Sequence, residues 1–142
     1  MPEKNENPVY ARFVTEMQVR PDDIDLYSHV HSSRYLDYIL AARFDQMERC
    51  YKMSMQEFAA LGFGWFQRSL TINYKRQLEI AERFKVETGI EEFLKDGVIV
   101  SFKIFKANGK LAADGTCNYA LIDMNTRRAV ALPQEILEKY SI

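Results

Sequence analysis

The chain has 142 residues, 47% of them hydrophobic and 27% charged, and its 19 basic and 20 acidic side chains leave a formal charge of −1. A chain of this length buries about 70% of the surface it exposes when unfolded, so it needs neither disulfides nor a structural metal to hold together. The even charge lacks the basic excess of a nucleic-acid binder, and no stretch approaches the roughly 18 apolar residues of a membrane span.

Residues 1–8 are polar and charged, unlike a secretory signal, and are expected to form a flexible lead to one domain spanning residues 1–142. From Phe13 the pattern alternates, with Phe13, Thr15, Met17 and Val19 on one face, which predicts a half-buried strand ended by Pro21. A polar segment follows, and a helix begins near Ser32 or Ser33, either of which can cap its first N–H groups. Tyr35, Tyr38, Ile39, Ala42 and Met47 then form one apolar stripe at helical spacing. A second short helix is expected over Ser54 to Leu61, before Gly62 and Gly64 interrupt.

The remainder reads as strands. Residues 65–76 place Phe66, Leu70, Ile72 and Tyr74 on a common face, and residues 83–91 place Phe84, Val86, Thr88 and Ile90. Asp96-Gly97 offers a tight turn into a strand carrying Val98, Val100, Phe102 and Ile104. Asn108-Gly109 is a two-residue hairpin signal with positive φ at both positions, leading into a last strand over Leu111 to Asp123. Pro133 starts a short terminal helix. Strands joined by hairpins make an antiparallel sheet, and a lone hydrophobic helix must cover its apolar face, so the fold class is α+β.

Reactive side chains concentrate in Asp22-Asp23-Ile24-Asp25-Leu26-Tyr27-Ser28-His29-Val30-His31-Ser32-Ser33, which holds both histidines of the protein. Carboxylates and imidazoles at a helix N-terminus suit hydrolysis: a carboxylate activates water or attacks directly, and free helix N–H groups receive an oxyanion. The same residue types also serve as ordinary caps and turn formers. No Gly-x-Ser-x-Gly elbow or phosphate-cradling glycine loop is present. Cys50 and Cys117 share no metal-type spacing and read as small core residues of a reducing compartment, so the expected location is cytoplasmic with no metal. The clusters Lys75-Arg76 and Arg127-Arg128 read as solvated surface.

The run from Asp23 to Tyr38, followed by Ala42-Arg43, resembles the 4-hydroxybenzoyl-CoA thioesterase family of hotdog proteins, with its Asp-x-Asp, Gly-His-Val-Asn-Asn, Tyr-x-x-Tyr and Ala-Arg motifs. The likeness extends through Leu70-Thr71-Ile72-Asn73-Tyr74 to the Asp123–Pro133 segment and covers about residues 12–138. It implies a hotdog fold of about five antiparallel strands around a long central helix, and hydrolysis of an acyl-CoA thioester without a cofactor. It also implies a homodimer with sheets joined edge to edge, or a dimer of dimers.

By the same resemblance Asp25 is the catalytic carboxylate, as general base or nucleophile, and the backbone N–H at about Ser32 is the oxyanion contact. His31 is a candidate to orient water or touch the thioester, although a local capping role is preferred. Tyr35 and His29 are the candidate substrate-binding residues: Tyr35 lines the acyl channel or packs in the core, and His29 shapes the loop. Ser28 stands where glycine is usual, His31 and Ser32 replace Asn-Asn, Leu40 replaces a frequent glutamate, and Gln77 a common proline. Two rivals remain: a thioesterase acting on acyl carrier protein, favoured by a basic patch near the tunnel mouth, and a hotdog protein that binds acyl-CoA without cleaving it.

Overall fold

The structure, a computed structural model, describes residues 9–142, so the expected flexible lead lies outside the described residues. Six strands, β1 (Arg12–Gln18), β2 (Phe63–Tyr74), β3 (Arg83–Leu94), β4 (Gly97–Phe105), β5 (Leu111–Asp123) and β6 (Arg128–Ala129), accompany three helices, α1 (Arg34–Arg49), α2 (Met55–Ala60) and α3 (Gln134–Tyr140). The strands form one antiparallel sheet in the order β1-β3-β4-β5-β2, with β6 attached to β5. The sheet curls around α1, which is the hotdog arrangement.

The five residues of the expected helical stripe are all buried. They meet Phe84, Val86 and Ile90 of β3 and Val100, Phe102 and Ile104 of β4 in one core. Full burial of a side chain such as Ile39 contributes about 1.5–3 kcal/mol. Arg43 and Gln46 are buried in the same stripe, which the apolar pattern did not predict. A directional chain of hydrogen bonds accommodates them. Arg43 Nη1 donates to Thr88 Oγ1 at 2.9 Å, and the Thr88 hydroxyl donates to Gln46 Oε1. Gln46 Nε2 then donates to Thr15 Oγ1 at 3.0 Å, and Thr15 donates to Asp45 at 2.6 Å.

Four local expectations are corrected. Neither Ser32 nor Ser33 caps α1 through its side chain. Ser33 already has helical backbone angles (φ −66°, ψ −23°), because the preceding turn closes with Arg34 N–H on His31 O and Tyr35 N–H on Ser32 O. In β2 a bulge between Gln67 and Ser69 inserts an extra residue and reverses the facing, so Trp65 turns inward and Phe66 is 60% exposed. The β3–β4 turn is Lys95–Asp96; Gly97 belongs to the strand, where any Cβ would collide with the Tyr119 carbonyl oxygen. The β4–β5 loop spans Ala107–Gly109, with Gly109 alone at positive φ (+86°), which makes a three-residue loop instead of a two-residue one. The short β6 was not predicted. By contrast α2 forms as expected: Ser54 and Glu57 make a reciprocal capping box.

Candidate functional site

Between β1 and α1 the chain makes one 3-10 turn (Pro21–Asp23) and then a tight loop closed by an antiparallel bridge between Ile24 and Val30. Asp25 N–H donates to His29 O at 2.8 Å and Ser28 N–H donates back to Asp25 O at 3.1 Å. That closure forces Ser28 to φ +62°, a left-handed conformation that glycine adopts freely and serine does at some cost. The glycine that the sequence resemblance leads one to expect here would hold that angle without strain.

The loop is anchored from inside by Asp23, whose side chain was not singled out from the sequence. Asp23 is fully buried and accepts hydrogen bonds from Tyr38 Oη (2.8 Å), Arg20 N (3.2 Å) and Arg20 Nη2 (3.4 Å). Burial alone would raise its carboxyl pKa, but these bonds outweigh it and hold the group below the ordinary carboxylate range. Burial together with the bond to Asp23 pushes the Tyr38 phenol far up, so it remains a donor at any ordinary pH.

Asp25, two residues on, is half-buried and faces a cleft of about 460 Å³. Its Oδ1 accepts from Tyr27 N–H (2.8 Å) and His29 N–H (3.3 Å), while Oδ2 has no donor among the described residues. The Tyr27 bond leads the interactions that lower its pKa, with smaller contributions from the His29 N–H and from charge on His31 and His29. Asp25 is therefore an ionised carboxylate at neutral pH with one oxygen available for chemistry.

Ser32 and Tyr35 line the same cleft. The N–H groups of Ser32 and Ser33 have no partner among the described residues. Tyr74 Oη clamps this helix start by donating to Ser32 O at 3.1 Å, and its ring meets Tyr35 edge-on with centroids 5.2 Å apart. The Tyr35 hydroxyl accepts Leu78 N–H at 3.2 Å. Neither histidine lines the cleft. His29 contributes its main chain, bonding Asp25 and bridging to Glu79. His31 is exposed, and its imidazole makes no hydrogen bond among the described residues, so it does not cap the helix.

The cleft brings in residues that sequence reasoning left aside. Lys75 and Arg76, read as solvated surface, are exposed but line the cleft opposite Asp25's loop. The one available signal was their basic pairing; their place beside Asp25 depends on where the end of β2 lands in three dimensions. A carboxylate with a free oxygen, one residue with an unused amide donor (Ser32) and two cations in one opening can attack a carbonyl, hold the resulting oxyanion and attract an anionic carrier.

The chain is similar to known thioesterases. Residues 19–140 match the model of the thioesterase-like superfamily. The chain is 28% identical over 126 residues to the long-chain acyl-CoA thioesterase FadM from Escherichia coli, covering 88% of this chain and 94% of that protein. Among solved structures, a DHNA-CoA thioesterase from Staphylococcus aureus superposes with a TM-score of 0.86 at 23% identity, over 92% of this chain and 89% of the other. The probable thioesterase YbaW from Escherichia coli gives a TM-score of 0.77 at 27% identity, over 89% and 94% of the respective chains.

Proposed function

Because the chain belongs to the thioesterase-like superfamily, we propose that it hydrolyses acyl-CoA thioesters to the free acid and CoA, with Asp25 as the driving carboxylate. The observation that carries this reading is the ionised Asp25 with Oδ2 unpaired, in one cleft with the free N–H of Ser32. As general base, Asp25 takes a proton from water as the water oxygen bonds to the thioester carbon. As nucleophile, it bonds to that carbon itself, and water then opens the mixed anhydride. Either way the carbonyl oxygen gains negative charge, the Ser32 N–H stabilises it, and the C–S bond breaks to release CoA thiolate, which takes up a proton. Tyr35 forms the wall against which the first part of the acyl chain lies, while His29 and His31 tune the loop and its charge.

Lys75 and Arg76 at the cleft rim suit the phosphates of CoA. They also favour the second reading, a carrier protein that presents its thioester beside an acidic helix. The experiment that tests the assignment is a thiol-release assay over short, long and aromatic acyl-CoAs, run beside acyl carrier protein thioesters and Asp25→Asn. Tight binding with no thiol released from any of them would make the protein an acyl-CoA binder instead.

The functional unit is a homodimer, or a dimer of dimers, joined through the free edge of β2. β2 is the 12-residue strand at the end of the sheet and carries the exposed Phe66. The working compartment is the cytoplasm, consistent with two unpaired cysteines. Among the described residues no helix is long and apolar enough to cross a membrane.

A further inference from the structure

A second cavity, of about 360 Å³, lies between α1 and the first half of β2, with a mostly apolar wall that includes Leu40, Phe44, Met47 and Val98. Arg43 is the charged residue in that wall, and it is 7% exposed. A guanidinium carries five N–H donors. Among the described residues one of them is used, on Thr88, and the Tyr51 ring centroid lies 5.3 Å from the guanidinium carbon. None of the described ion pairs, all within 4.0 Å, includes Arg43. Three other polar atoms on lining residues, Trp65 Nε1, Gln67 Oε1 and Tyr119 Oη, are buried without a partner among the described residues.

A buried cation surrounded by apolar groups is costly unless an anion meets it. Position 40, three residues before Arg43 on the same helix, is where an acidic side chain would neutralise it locally; leucine stands there instead. Thr88 and the Tyr51 ring meet the guanidinium, but no anion among the described residues neutralises its charge. Tyr35 lines the Asp25 cleft, and Arg43 sits eight residues further along α1, about 12 Å away at 1.5 Å per residue. A chain following the helix from Tyr35 would need about that length to reach the guanidinium.

We propose that this cavity receives the distal end of the acyl chain and that the preferred substrate carries a carboxylate there, held by Arg43: the CoA monothioester of an α,ω-dicarboxylic acid. This deepens the thioesterase reading and rests on it for the reaction, while the anion site itself can be tested separately.

Monomethyl esters of the diacids from hexanedioate to dodecanedioate, whose ester stands for the thioester end, are titrated calorimetrically into the wild-type protein beside the methyl esters of the matching monoacids. At one length at least, the diacid half-ester binds about tenfold more tightly or better, as a charge-assisted bond to a buried guanidinium predicts. Arg43→Met removes that difference and Arg43→Lys keeps part of it. The matching CoA monothioesters show the same preference in kcat/KM. Equal binding of half-ester and monoacid ester at every length in the wild type overturns the proposal. So does dissociation of the oligomer by Arg43→Met with no half-ester preference beforehand, because a carboxylate of a second copy would then be the partner. Preferential half-ester binding without thioester cleavage upholds the anion site and removes the thioesterase reading instead.

Discussion

The Tyr38 hydroxyl and the Asp23 carboxylate meet at 2.8 Å inside the protein and tie the second turn of the buried helix to the loop that presents Asp25. Tyr38→Phe removes that bond and leaves the carboxylate to Arg20, with Arg34 Nε at 3.6 Å. The expected loss is about 1–3 kcal/mol of stability, the usual cost of an incompletely satisfied buried polar group. The folded Asp23 pKa lies below its unfolded value, so its contribution is present above the unfolded value and is lost as pH falls through the folded one. Losing the Tyr38 bond raises the folded pKa. Acid unfolding of the variant, followed by circular dichroism, therefore begins at higher pH than in the wild type; an unchanged acid transition would show that the bond does not hold the carboxylate.

Asp25→Asn is expected to keep the fold, because the amide oxygen can still accept the N–H groups of Tyr27 and His29. Thiol release falls by about 10²–10⁴-fold, the range of a general base. Wild-type turnover in this variant would remove Asp25 from the mechanism.

The same carboxylate fixes where activity fails in acid. Its pKa is below the ordinary value of 3.8, so the active, ionised form persists as pH drops through the range where histidines titrate. The acid limb of kcat/KM attributable to Asp25 lies below about pH 4. A single limb well above that pH that disappears in His31→Gln would instead make that imidazole the essential group.

Much of this architecture was legible because half-buried strands and helices write their faces into the sequence. The stripe from Tyr35 to Met47 and the alternation of Phe84, Val86, Thr88 and Ile90 are both buried as read. The Phe66 face was misread because a bulge adds one residue, and nothing in the local pattern around Arg68 announces it. Arg43 and Gln46 were invisible as buried groups because their partner Thr88 lies more than forty positions away and reaches them only through the fold. Asp25 could be named from its motif, but the nearness of Lys75 and Arg76 could not, since β2 has to run back past the loop first.

Two glycines separate space from conformation. Gly97→Ala drives a methyl group into the Tyr119 carbonyl of the neighbouring strand, where neither backbone can yield cheaply, and about 3 kcal/mol or more of stability should be lost. Gly109→Ala meets no atom within 4 Å but must hold φ +86°, for a loss of about 1–2 kcal/mol. Denaturant titration of both variants checks the order; equal losses would mean that β4 and β5 can separate enough to admit the methyl.

The oligomer prediction turns on which sheet edge is left open. β1, at one end, has seven residues and presents the charged Arg12 and Glu16 to solvent, and such charges discourage pairing with another chain. β2, at the other end, has 12 residues and exposes Phe66 and Tyr74, an edge that invites a second copy. Light scattering at micromolar concentration should give at least twice the 16.6 kDa chain mass. Phe66→Glu forfeits about 1.5–3 kcal/mol of apolar burial and raises the dimer dissociation constant about tenfold or more. Val14→Glu on β1, at an apolar residue that is also exposed, leaves the mass unchanged. A wild-type monomer, or dissociation by Val14→Glu and not by Phe66→Glu, would mean that β2 is not the joining edge.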